Sequence, residues 1–134
     1  MKLQDPLQTV RALVGGARPE LVLPSKRCCG ESGTLGVTRP DIATQIRFRK
    51  EQELRQDEVA LRQTGAVAAG ANIKILTSCP SCLQGLSRYG EDLNSGLLEA
   101  DYIVVEMARR LLGPQWMETY VAAANAGGIE RVLV

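Results

Sequence analysis

Ala71-Asn72-Ile73-Lys74-Ile75-Leu76-Thr77-Ser78-Cys79-Pro80-Ser81-Cys82 is the stretch whose reading decides the fold. Its first seven residues form an apolar run of strand length, which predicts a buried strand ending at Ser78-Cys79. Pro80 then opens a helix that runs to about Leu86, because proline suits the first helical turn, where its missing N–H needs no partner. Cys79 therefore ends a strand and Cys82 lies in the first turn of a helix. Unpaired amides and the helix dipole at that end favour thiolate over thiol. A Cys-x-x-Cys so placed either chelates a metal or cycles as a dithiol.

Upstream, Pro40 to about Thr64 carries the longest helical pattern, ended by Gly65. Pro40 and Asp41 suit its positive end. At about 100° per residue, Ile42, Ala43, Ile46, Leu54, Ala60 and Leu61 share one face, with Phe48 and Val59 on a second stripe. Lys50 projects into the first face, where its stem packs and its amine reaches out to Glu53 or Glu51. Gln8 to Val14 predicts a short helix stopped by Gly15-Gly16. Leu21-Val22-Leu23, between Pro19 and Pro24, suits a short buried strand, and Cys28 to Thr38 reads as a loop.

Downstream, Tyr102-Ile103-Val104-Val105 is a further apolar run that passes into a helix from Glu106 to Leu112, stopped by Gly113-Pro114. Gln115 to Ala124 is another helix, on which Trp116 and Tyr120 share a side as core or as a domain-docking face. Ile129 to Val134 suits a last strand. Strands alternating with helices predict an α/β fold: three layers, with a mostly parallel sheet of three to four short strands and helices on both faces.

The 134 residues suit one domain, 1–134, and 45% apolar content suits a globular core. A net charge of +1 with signs intermixed leaves no footprint for nucleic acid. No apolar run approaches the roughly 18 residues of a membrane span, and the start lacks the apolar stretch of a signal peptide. A cytoplasmic protein is expected. Reduced thiols there point to metal binding or catalysis rather than structural disulfides. The chain has no histidine, so Ser-His and Cys-His dyads are excluded within it.

The other thiols, Cys28-Cys29, open Cys28-Cys29-Gly30-Glu31-Ser32-Gly33, and the chain holds four cysteines in all. Adjacent side chains diverge, so both reach one centre only on contorted backbone, which Gly30 and Gly33 permit. Their amides are placed to hydrogen-bond to sulfur. Glu31, Ser32 and Thr34 flank the loop and would cap it or the sulfurs. The long helix begins soon after, so two helix N-termini are expected to flank the thiolates. Clustered thiolates suit iron–sulfur clusters, zinc or copper(I). The alternative, four cysteines packed in an apolar core, sits poorly with their Ser, Gly and Pro neighbours. Arg39, Arg47, Arg49 and Lys50 would form a solvated helix face with Glu51 and Glu53, or offset a cluster's negative charge.

Cys28-Cys29-Gly30, followed after a helix by Thr77-Ser78-Cys79-Pro80-Ser81-Cys82-Leu83, resembles the CCG (cysteine-rich) domain found in heterodisulfide reductases and in the iron–sulfur proteins of glycolate, lactate and glycerol-3-phosphate oxidation systems. The string from Cys28 to Ile42 resembles the C-terminal end of bacterial FAD/FMN-containing dehydrogenases fused to iron–sulfur modules. The resemblance covers about Asp5 to Gly113. It implies a 4Fe–4S-type cluster, or zinc in some members, held by Cys28, Cys29, Cys79 and Cys82, with Gly30, Glu31, Ser32 and Gly33 around it. It also implies FAD or FMN on another domain or subunit, a 2-hydroxy acid or similar substrate there, and other iron–sulfur modules as partners. By this resemblance the chain alone is not catalytic, does not span a membrane, and lies peripheral to the inner membrane through its partners.

The family carries a further cysteine, often in a Cys-His element, before Cys-Cys-Gly, and residues 1–27 hold neither residue type. Met1 is then expected to be an internal methionine of a longer protein, with this chain its C-terminal fragment and the missing ligand just upstream. The four thiols alone suit tetrahedral zinc. A third reading is a glutaredoxin-like dithiol protein, built on strand, Cys79-Pro80-Ser81-Cys82 and helix.

Overall fold

The computed structural model describes residues 5–15, 19–31, 33–65, 67–68, 70–89 and 98–127. The chain is mixed α/β and divides into two compact units, Met1–Ile103 and Val104–Val134. The first holds α1 (Pro6–Gly15), a 3-10 turn (Pro19–Leu21), α2 (Leu35–Thr38), α3 (Pro40–Gln63), β1 (Ile73–Thr77), α4 (Pro80–Ser87) and β2 (Leu98–Tyr102). Helix α5 (Ile103–Leu112) starts on the last residue of this unit and continues in the second, which also holds α6 (Trp116–Asn125).

β1 and β2 pair in parallel, from Ile73 opposite Leu98 to Thr77 opposite Tyr102. A parallel pair needs a crossover, and α4 lies in it, completing the βαβ unit. Ile73 and Ile75 of β1 and Leu98 and Ala100 of β2 alternate onto one face. They pack with Leu54 of α3, Leu86 and Cys82 of α4, Tyr89 and Cys29. This cluster is the core that positions the thiols.

Three strand expectations need correction or restriction. Among the described residues the sheet has two strands, where three to four are expected. Leu21–Leu23 is not a strand: Leu21 ends the 3-10 turn and the next residues are irregular. The flanking prolines explain this, since each lacks a ladder donor and Pro24 also restricts Leu23. The run at Tyr102–Val105 straddles a boundary, with the strand ending at Tyr102 and helix beginning at Ile103. The alternation Leu98-Glu99-Ala100-Asp101-Tyr102 is the period-2 signal that marks the real strand. The expected strand 129–134 lies outside the described residues.

Helix α3 begins where Pro40 predicts, with Asp41 in its first turn, and is followed by Gly65 at φ +69°, a left-handed stop that glycine adopts without strain. Ala43, Leu54 and Leu61 are buried, whereas Phe48, Val59 and Ala60 are exposed. Lys50 does not reach solvent: its side chain is 3% exposed. Its ammonium donates to Glu53 Oε2 at 2.8 Å and to the Ser25 hydroxyl. Ser25 Oγ donates to Glu53 Oε2 at 2.9 Å, and the Lys26 amide to Glu53 Oε1 at 2.7 Å. The segment after Pro24 is thereby tied to the middle of α3.

Burial alone would raise the Glu53 carboxyl, but the Lys50 ammonium, the Lys26 amide and the Ser25 hydroxyl outweigh it and hold it down to about 2. A depressed carboxyl stabilises the fold above its ordinary value, and that contribution disappears as pH falls toward the folded value. Acidification from pH 5 toward pH 2 is therefore expected to remove up to roughly 3 kcal/mol through this group. Asp57 acts in the opposite sense, because burial and the Glu53 carboxylate raise it, and its protonation relieves the fold in mild acid. Denaturant melts at stepped pH on the wild type and on Asp57→Asn separate the two. A stability curve flat from pH 5 to 2 in Asp57→Asn would contradict the assignment of Glu53.

In the second unit, Glu106 accepts from Arg109 Nη1 at 2.8 Å and from Arg110 Nε at 2.8 Å, binding successive turns of α5. Trp116 is half-buried and Tyr120 exposed, with Met117 and Val121 exposed beside it. Among the described residues, no helix is long and apolar enough to cross a membrane.

Candidate thiol site

The site forms where the loop carrying Cys28-Cys29 meets the N-terminus of α4. Cys79 is the N-cap of that helix in extended conformation, with Pro80 at its first position. The Cys79 carbonyl accepts the first helical bond, from the Leu83 amide at 3.0 Å, and its own amide donates to Thr77 Oγ1 at 3.2 Å. The strand end and the helix start are thus fixed to each other through Cys79. On the loop, Gly30 and Gly33 take φ of +78° and +56°, the contorted backbone that two adjacent cysteines call for. The predicted loop also contains one helical turn, α2.

That backbone separates the two thiols. Cys29 turns inward and is buried in the apolar cluster, while Cys28 is exposed. Cys29 Sγ lies 2.8 Å from Cys82 Sγ, across 53 residues of sequence. The Gly30 amide donates to Cys28 Sγ at 3.4 Å, so one loop amide does reach a sulfur. Cys79 and Cys82 are both half-buried. The Cys82 amide and thiol, followed by the Ser81 amide and hydroxyl against the opposing effect of burial, hold the Cys79 thiol below its ordinary range. Burial, then the neighbouring Cys29 and Cys79 thiols, push Cys82 up. Two of the four predicted thiols, Cys29 and Cys82, thus stand in contact, and Cys79 and Cys82 lie near enough to shift each other's titration.

Glu31 is engaged by two arginines. Its Oε1 accepts from Arg47 Nε of α3 at 2.9 Å and pairs with Arg88 Nη2, just past α4, at 3.2 Å. Its chain lies against Gly85, where an added Cβ would come 2.1 Å from Glu31 Cγ. The Tyr89 hydroxyl, in the same core, donates to the Arg47 carbonyl at 3.0 Å. Glu31 therefore clamps the cysteine loop between two helices. Arg47 is accordingly not part of a solvated face, and Arg88, Gly85 and Tyr89 join the site without a sequence expectation of their own. The lone glycine inside the α4 pattern is the signal that marks a close approach. Ser32 lies outside the described residues, and Thr34 precedes α2, accepting at its carbonyl from the Val37 amide at 2.9 Å. Gly30 packs against Ile46 and Arg47, some two turns into α3. Of the two expected helix N-termini, that of α4 brings Cys82 to Cys29.

Gly85→Ala is expected to destabilise the protein by about 1–3 kcal/mol, although alanine has the higher helix propensity by about 1 kcal/mol. The new methyl must displace Glu31 from both arginines. Urea unfolding followed by circular dichroism measures this, and a stabilised variant would show that the clamp does not form.

Four thiols are a donor set that suits a soft metal. The one close pair is tighter than a bound metal takes: sulfurs sharing a tetrahedral zinc lie about 3.5–4 Å apart, against 2.8 Å for Cys29 and Cys82. Among the described residues, no group of three or more Cys, Asp or Glu side chains is disposed to hold a metal ion. The donor chemistry fits, and the geometry requires the Cys29 and Cys82 sulfurs to move apart.

A family profile described as a domain of unknown function (DUF3400) matches residues 87–134. That stretch begins at the end of α4 and includes neither cysteine pair. No curated protein matches the chain, and no solved structure does.

Proposed function

We propose that this chain is the cysteine-liganded electron-transfer module of a flavin-dependent oxidoreductase acting on a 2-hydroxy acid or similar substrate. The observation that carries the reading is the meeting of Cys29 with Cys82, from two segments far apart in sequence. The resemblance of both cysteine motifs to the CCG domain supplies the identity of the group. A 4Fe–4S-type cluster, once bound, supplies one-electron transfer. The residues of this chain would hold and tune it. Cys29 and Cys82 supply ligands from the protein interior, Cys79 from the helix N-terminus and Cys28 from the exposed side of the loop. The Gly30 amide lowers the electron density on the Cys28 sulfur.

The flavin and the substrate belong to another domain or subunit, and the thiols of this chain would hold the group that takes up electrons from there. The protein would work in the cytoplasm, peripheral to the inner membrane through those partners.

Anaerobic reconstitution with ferrous iron and sulfide tests the reading, on this chain and on the full product of its gene. Iron and sulfide uptake, with an EPR signal on dithionite reduction, is the expected result. Failure of the full product to take up iron would falsify the cluster assignment. Stoichiometric zinc retention in its place would support a zinc-binding structural module.

A further inference from the structure

We infer that Cys29 and Cys82 are a disulfide-forming pair, and that the metal-free protein is closed by this bond until a reductant opens it. Their sulfurs stand 2.8 Å apart, so disulfide formation at about 2.05 Å needs an approach of under 1 Å. A shared metal needs the opposite movement. The two thiols are held at this separation from both sides. Cys29 is buried among Leu54, Leu86, Tyr89 and Leu98, and Cys82 packs against the same cluster from the first turn of α4. The ion pairs of Glu31 with Arg47 and Arg88 fix the loop two residues beyond Cys29. Neither cysteine is a flexible surface thiol that would pair indiscriminately.

The reaction is thiol–disulfide exchange with a low-molecular-weight disulfide. One protein thiolate attacks a sulfur of oxidised glutathione and releases one glutathione. The second protein thiolate then attacks the mixed disulfide, forms the Cys29–Cys82 bond and releases the other glutathione. The protein loses two electrons and two protons, and the disulfide reagent gains them as two thiols. The bond occupies two of the four soft ligands, so oxidation would block metal loading. That last consequence alone rests on the proposed metal-binding function.

The test uses the full chain and the variant Cys28→Ser/Cys79→Ser, each treated with oxidised glutathione, alkylated and cleaved at Lys and Arg. Because Arg39 precedes Pro40, Cys29 falls in peptide 28–47 and Cys82 in peptide 75–88. The expected result in the variant is a linked 28–47/75–88 pair, lost on reduction, with thiol labelling of folded protein falling at least tenfold. Full alkylation of both cysteines in the folded, glutathione-treated variant overturns the inference. In the wild type, zinc uptake by reduced protein and none by oxidised protein supports the block, and equal uptake by both overturns it. If the cross-link forms and reduced protein takes up no zinc or iron, the disulfide pair stands and the metal reading fails.

Discussion

Glu53→Ala is expected to cost about 3–5 kcal/mol of stability, the penalty for leaving a buried charge without its partner. The size follows from Lys50, whose side chain is 3% exposed, and from Glu53 itself at 12%. Removing the carboxylate strands the ammonium beside the Ser25 hydroxyl and also takes the acceptor from the Lys26 amide. Replacing both charges at once should do much less harm. Lys50→Met with Glu53→Leu removes the unpaired charge as well as the pair, and such exchanges are often neutral or stabilising. Urea unfolding of Lys50→Met, Glu53→Leu and the double variant forms a cycle, with Glu53→Ala measured beside it. A single Glu53→Ala loss under about 1 kcal/mol, the range of an exposed pair, would place Lys50 in water and contradict the buried arrangement.

Cys82→Ser is expected to abolish metal binding, lowering bound iron after reconstitution by at least about tenfold. Loss of outer-shell partners alone typically costs about 10–100-fold in affinity, and Cys82 would be a ligand at the centre of the site. Hydroxyl is also a harder donor than thiolate and matches iron–sulfur or zinc chemistry less well. Cys82 is in contact with the buried Cys29 and lies on the same helix N-terminus as Cys79, so it is the position that joins the two cysteine motifs. Cys28→Ser should be milder, since that sulfur is exposed and its described partner is the Gly30 amide. Iron analysis with EPR on the four single variants ranks them. Equal retention of iron by Cys82→Ser and the wild type would show that the thiols are not ligands.

Much of the architecture was legible because proline and glycine mark its boundaries. Pro40 and Gly65 bracket α3, and Pro80 starts α4 directly after Cys79. These residues act through local backbone sterics, which operate wherever the segment lies. The strand positions were less legible. Leu21–Leu23 has strand composition, but its prolines remove ladder donors, and β2 alternates over residues that a search for continuous apolar runs passes over. Ile103, Val104 and Val105 favour a strand by β-branching yet form the first turn of α5, an instance of context overriding propensity.

By itself the sequence determined which groups are the candidates for a site: four thiols, no histidine, one pair at a helix N-terminus and one on a glycine-permitted loop. Residue type and local backbone decide those properties, and both are written along the chain. Only the tertiary structure decided which thiol of each pair meets the other. Cys28 and Cys29 are chemically equal and diverge by necessity. The apolar surroundings of Leu54, Leu86, Tyr89 and Leu98 bring Cys29 inward to Cys82. Glu31, read as capping either the loop or the sulfurs, anchors the loop because Arg47, Arg88 and the absent side chain of Gly85 converge on it from two helices. Contacts across 16 to 57 residues depend on how the helices pack, and no local pattern encodes them.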